Sequence, residues 1–139
     1  RIMTGFHVLR ALALGADMVN SARAMMIALG CIQAMECNAN TCPTGVATQD
    51  PSLSVGLNAK AKMPRIFNFH RETVHITMAM LVATGNRELT DLKRSMINRR
   101  VSMHQTMRYD QIFPDVKVGC FLNGGDIPEH YREFVSART

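Results

Sequence analysis

Three of the four cysteines fall within twelve residues, as Cys31, Cys37 and Cys42 in the spacing C-x5-C-x4-C, with Pro43 directly after the last. Thiols so close together must be bridged, buried or shared by a metal, and each choice dictates a different local fold. A disulfide framework fits poorly, because an odd number of thiols sits in the segment and no charged-then-apolar leader marks the chain for export. Structural zinc usually takes four protein ligands in two C-x2–4-C pairs, whereas the segment offers at most one such pair, Cys37 with Cys42, and a fourth ligand is not evident. Iron–sulfur chemistry suits the segment better. Thiolates on an irregular, turn-rich loop can wrap a cluster, and a proline after the last ligand recurs in ferredoxin-type motifs. Three thiolates leave one corner of a cuboidal cluster unfilled, which predicts a three-iron centre. On spacing alone a cluster, a zinc ion and three inert buried cysteines all stay open, since the pattern is not one of the common signatures. Cys120, alone beside Phe121 and Leu122, reads as a small buried hydrophobe.

The surrounding sequence is an α/β pattern. From Thr4, a candidate N-cap, the apolar residues Phe6, Val8, Leu9, Leu12 and Leu14 predict a helix that Gly15 stops. Asp17, Met18, Val19 and Asn20 read as a short buried strand, and Ser21 to Leu29 as an apolar helix closed by Gly30. Residues 31–62 carry Asn, Thr, Pro, Gly and Ser without a sustained period, which marks a long irregular segment. After Pro64, residues Ile66, Phe69, Val74, Met78 and Leu81 predict the longest helix, closed by Gly85. Thr90 caps an expected helix to Met96. The tail holds Pro114, Gly119, an Asn123-Gly124-Gly125 turn and a last helix from about Pro128.

Composition bounds the function. The 139 residues are 47% hydrophobic and 19% charged, a globular balance, and eleven methionines with no tryptophan predict a soft aliphatic core. No window holds the run of apolar residues a membrane span needs. The net charge of +5 is modest. Its one concentration, Lys93, Arg94, Arg99, Arg100 and Arg108, lacks the interleaved aromatics of a nucleic-acid surface and reads as a solvated helical face with some docking use. Arg1 is not an initiator methionine, and Arg1 to Gly5 reads as the end of a strand entering a helix. The chain is therefore expected to be a piece of a larger fold.

A second candidate site lies where the short strand runs into a helix at Ser21-Ala22-Arg23. Free N–H groups of a first helical turn, small side chains and a neighbouring arginine make a phosphate cradle, although a serine at such a junction is also an ordinary cap. In a (β/α)8 barrel the loops after strands seven and eight are a frequent phosphate site, and residues 1–4 and 20–23 would be those loops. His70 reads as a structural histidine on an apolar helix, and His7, His75, His104 and His130 lack a spacing that would build a metal site. No Ser/His/Asp or paired-carboxylate arrangement can be assigned, so the catalytic residues are unknown.

Taken together, Leu14 to Asp17, Ala28 to Gln33 and Cys37 to Pro51 closely resemble the FMN-binding, iron–sulfur domain of glutamate synthase, in particular the stand-alone glutamate-synthase-like proteins of bacteria and archaea. The resemblance weakens through the later helices and continues to Arg108-Tyr109-Asp110 and Pro128 to Tyr131. It implies the C-terminal part of a (β/α)8 barrel carrying FMN, with a [3Fe–4S] cluster on Cys31, Cys37 and Cys42. It also implies FMN phosphate contacts at Ser21, Ala22 and Arg23. The large glutamate synthases have Gly-Thr where this chain has Ala22-Arg23, which brings the arginine side chain into that contact. The implied division is 1–30 for the last βα units, 31–62 for the cluster loop and 63–139 for C-terminal helices and tail.

The implied activity is reductive amination of 2-oxoglutarate with glutamine-derived ammonia, captured as 2-iminoglutarate and reduced by FMN hydride to glutamate. The implied partners are a ferredoxin or an NAD(P)H-oxidising subunit as electron donor and a glutaminase domain or subunit. Nucleic acid and membrane are not among them. The cluster would relay single electrons, its potential tuned by donors for which Asn38, Asn40 and Thr41 are the candidates. Substrate contacts are expected upstream of Arg1, and reduced thiols point to the cytoplasm. The alternatives are a related flavin oxidoreductase acting on another substrate, and a non-catalytic zinc-binding docking module.

Overall fold

A computed structural model describes residues 1–122 and 125–136. The chain divides into two compact units, residues 1–93 and 94–139. Asn123 and Gly124 of the expected turn lie outside the described residues.

In the first unit, α1 (Gly5–Ala13) and α2 (Arg23–Leu29) both pack on α4 (Ala59–Ala83), a helix of 25 residues. Thr4 caps α1 as expected. The His7 ring reaches back, its Nδ1 accepting the Thr4 N–H at 3.2 Å, which closes a capping box. Helix α1 meets α4 through Gly5, where a Cβ would stand 2.8 Å from the Thr77 backbone nitrogen. Only glycine admits that approach. Around it Leu9, Ala13, Ala24, Thr77 and Leu81 are buried, and Leu81 has no exposed surface. Burying such a leucine contributes about 2 kcal/mol. The Thr77 hydroxyl is satisfied by the Thr73 carbonyl at 2.7 Å, so the one buried polar side chain of this core costs little.

Helix α4 begins earlier than its apolar period indicates. The Asn58 side chain accepts the Ala61 N–H at 3.1 Å and starts the helix, leaving Pro64 inside it. Thr84 and Gly85, at φ 79°, end it. A short α3 (Pro51–Ser54) interrupts the irregular segment, capped by Asp50 with proline at its first position. Ser52 donates to the Asp50 carboxylate through both its N–H and its hydroxyl, which holds that carboxyl below its usual range.

Two expectations are corrected here. Residues 17–20 form no strand. Extended backbone becomes a strand only beside a partner, and among the described residues nothing pairs with this segment, whose Met18 is 89% exposed. The helix expected over Thr90 to Met96 is instead two 3-10 turns, Leu89–Asp91 and Arg94–Met96.

The second unit holds an antiparallel hairpin, β1 (Asn98–Arg100) with β2 (Thr106–Arg108), in which Arg99 faces Met107 across the ladder. Sequence reading misses it, because its strands are three residues long and exposed except for half-buried Met107, too short for an apolar alternation to show. Buried Ile97 and Tyr109 flank it and share a backbone hydrogen bond of 2.8 Å. Lys93, Arg99, Arg100 and Arg108 of the basic run are exposed, Arg94 is half-buried, and none lies on an α-helix. Arg94 is bound to the Phe113 and Pro114 carbonyls and to Asp115, and Arg108 to Asp110. Helices α5 (Tyr109–Ile112) and α6 (Glu129–Ser136) complete the unit, and Cys120 is buried as expected. The described residues are helix-rich with one small sheet.

Candidate functional site

The cysteine segment starts at a helix end. Gly30, at φ 121°, lets the chain reverse out of α2, and the Cys31 N–H closes back on the Met26 carbonyl at 2.9 Å. Cys31 is thereby fixed at the C-terminus of α2. Its sulfur accepts the Gln33 N–H at 3.3 Å. From there to Thr41 every residue is exposed, and Gln33, Met35 and Asn40 adopt left-handed backbone near φ 60°. Such residues cost strain unless their surroundings hold them. Cys37 opens a 3-10 turn, Cys37–Ala39, and is itself exposed.

Asn40 is the residue that ties the segment shut. Its side-chain oxygen accepts the Gln49 N–H at 2.7 Å, and its carbonyl accepts the Thr48 hydroxyl at 2.6 Å. These bonds close the loop that contains Cys42. Thr41 donates instead to Glu36 at 2.9 Å, and Asn38 is exposed. None of the three residues expected to serve the sulfurs reaches one.

Cys42 differs from the other two. It is buried, and its sulfur lies 3.4 Å from the Thr44 hydroxyl. The thiol is pulled down from its ordinary 9.0 to about 7, first by that hydroxyl and then by the N–H groups of Ala47, Thr44 and Val46, against a burial effect that raises it. The sulfur sits in a nest of donors of the kind that holds an anion. Gly45 shapes the nest. Its φ is +73°, and a Cβ there would run into the Leu53 carbonyl at the end of α3, so the turn and the short helix fit only with glycine between them. The signal for the missed donor, Thr44, was a hydroxyl two residues beyond the cysteine in Cys-Pro-Thr-Gly.

All three thiols are free and lie on one loop, but among the described residues no three His, Cys, Asp or Glu side chains stand together as a metal-holding group. The donor chemistry nevertheless fits a thiolate-bound centre. One sulfur is held toward its anionic form, a second accepts a backbone N–H, and the third is accessible on the same loop.

Ser21, Ala22 and Arg23 meet at the start of α2. The Ser21 hydroxyl donates to the Ile2 carbonyl at 3.0 Å, which joins the two segments expected to be phosphate loops. Ala22 is the N-cap, without a side-chain acceptor for the first-turn N–H groups, and Arg23 is exposed beside them. The donors left over are the backbone N–H groups and the guanidinium, which suit a phosphate. The serine acts as the tie between segments.

Comparison with known proteins places this arrangement. A family described as a conserved region in glutamate synthase matches residues 1–87, a stretch that contains all three loop cysteines and the start of α2. A glutamate synthase large subunit-like protein of Bacillus subtilis is 49% identical over 69 residues, half of this chain and 13% of that protein. The glutamate synthase [NADPH] large chain of Azospirillum brasilense is 32% identical over 132 residues, 94% of this chain and 8% of its own length. An archaeal-type glutamate synthase [NADPH] of Thermotoga maritima is 34% identical over 105 residues, 75% of this chain and 21% of its own. The chain thus spans a minor part of each relative. No solved structure matches it. A cysteine loop seated between α2 and α3, inside a matched stretch covering more than half of the residues, makes this chain a member of the glutamate synthase family.

Proposed function

We propose that this chain is the cluster-bearing part of an FMN- and iron–sulfur-dependent glutamate synthase that forms glutamate from 2-oxoglutarate and glutamine-derived ammonia. The observation that carries the reading is the donor nest around the Cys42 sulfur, on a loop that also carries Cys31 and Cys37 and lies within the family match. In this reading Cys31, Cys37 and Cys42 hold a [3Fe–4S] cluster, and loop ordering accompanies its binding. When bound, flavin supplies hydride chemistry and the cluster supplies one-electron transfer.

The remaining roles belong to the chain itself. Backbone N–H groups around Ala22, with the Arg23 guanidinium, hold the flavin phosphate. Ser21 keeps the two phosphate segments together, and the nest favours the thiolate form of Cys42. Residues 1–30 then supply the last βα units of a (β/α)8 barrel, 31–62 the cluster loop, and 63–139 the C-terminal helices and tail. Electrons come from a ferredoxin or an NAD(P)H-oxidising subunit, and ammonia from a glutaminase domain or subunit. Among the described residues no helix is long and apolar enough to cross a membrane, and the reading places the protein in the cytoplasm.

The test is glutamate formation by the full-length protein with 2-oxoglutarate, glutamine, a chemical reductant and, where the glutaminase is a separate subunit, that subunit. Glutamate should accumulate, and Cys42→Ser should lower the rate by more than about tenfold, since even outer-shell partners of a metal site cost that much. No glutamate from the native protein, or an unaffected Cys42→Ser variant, would contradict the reading.

A further inference from the structure

The three sulfurs are unequal in the donors that face them. Cys37 is exposed and has no hydrogen-bond partner among the described residues, Cys31 accepts one backbone N–H, and Cys42 is buried beside the Thr44 hydroxyl at 3.4 Å. For a free thiol, either Cys42 or Thr44 could donate in that contact. A sulfur that carries iron has no proton, so the hydroxyl must then be the donor. The Thr44 backbone is held on both sides. Thr44 follows Pro43, and the next residue, Gly45, is locked against the Leu53 carbonyl while its N–H bonds to the Cys42 carbonyl at 3.1 Å.

We propose that Thr44 is a positioning residue whose hydroxyl donates to the Cys42 sulfur and raises the reduction potential of the centre held by the three cysteines. The inference rests on the cluster reading above and goes beyond it by naming the side chain that sets the potential. The step is the gain of one electron by the oxidised centre, with no bond broken and no proton taken up. That electron increases the negative charge on sulfur, so a hydrogen bond to sulfur stabilises the reduced form more than the oxidised one. Asn38 and Thr41 make no hydrogen bond to sulfur, since Asn38 is exposed and the Thr41 hydroxyl donates to Glu36.

The experiment is a redox titration of the full-length protein as purified, followed by the electron paramagnetic resonance of its oxidised centre, for the native protein, Thr44→Val and Thr44→Ser. Valine keeps the shape and removes the hydroxyl. At one fixed ambient potential the ratio of reduced to oxidised centre should fall about three- to tenfold in Thr44→Val and stay near native in Thr44→Ser, the size expected of one charge-assisted hydrogen bond. A valine variant with full iron and sulfide content and the native midpoint overturns the proposal while leaving the cluster reading intact. A native protein without iron and sulfide overturns both. Thr44→Ala is the second hydroxyl-free variant. Loss of the centre from both valine and alanine variants, with serine retaining it, makes Thr44 a structural support and overturns the tuning role.

Discussion

Cys42 is the side chain whose surroundings say most about its use. With its thiol lowered to about 7 against an ordinary 9.0, the folded chain is the stronger acid there, so the stabilisation it gives is fully present above pH 9.0 and is lost as pH falls through about 7. In metal-free protein with Cys31, Cys37 and Cys120 changed to serine, thiolate absorbance should therefore rise with a midpoint near 7, and a midpoint near 9 would show that the nest is not formed. Asn40 makes the neighbouring test. Asn40→Ala removes the acceptor for the Gln49 N–H and puts alanine at φ 62°, which should cost about 1–3 kcal/mol and speed proteolysis between Cys37 and Asp50. The cysteine spacing was plain in the sequence, whereas the donors were not. The loop turns through three left-handed residues, Asn38 is exposed and the Thr41 hydroxyl is taken by Glu36, while Thr44 comes back to sulfur across a proline turn.

Helices were legible where a cap and a glycine bracket an apolar period, as at Thr4 and Gly15 or before Gly30. They were illegible where polar chemistry alone sets the boundary. Asn58 starts α4 ahead of Pro64, and Asp50 with Pro51 starts α3, yet neither the first turn of α4 nor α3 has an apolar stripe to announce it. Strands failed for a different reason, since pairing is a property of two segments. The short segment at 17–20 finds no neighbour among the described residues, while the polar run at Asn98–Arg100 finds Thr106–Arg108. Packing of the elements gives two tests. Leu81→Ala, at a fully buried site on α4, should cost about 2–5 kcal/mol and lower the thermal midpoint of the full-length protein. Gly45→Ala should release iron from the loop, because its Cβ has nowhere to go against α3 and its φ is unfavourable. Native iron retention in that variant would mean that α3 does not brace the nest.

The first unit carries both candidate sites and also a long helix with much apolar surface in the open. Met63, Phe67 and Val82 of α4 are each more than 60% exposed. Monomeric soluble proteins rarely leave such surface uncovered. Under the proposed barrel reading, further barrel structure covers it, and the 139 residues expressed alone should bind hydrophobic dyes and melt without a cooperative transition. A sharp transition would count against the chain being part of a larger barrel. A barrel is implied only by resemblance, because closure depends on strands that must pair with one another and no local pattern encodes that. What the sequence stated most directly, a trio of thiols on one loop, is also what can be measured most directly. Iron and acid-labile sulfide should be counted in the full-length protein, with electron paramagnetic resonance of the oxidised form. About three irons and four sulfides per chain, lost when Cys31, Cys37 or Cys42 becomes serine, is the result expected of a cuboidal centre with one empty corner. A colourless protein containing zinc, or one free of metal, would contradict it.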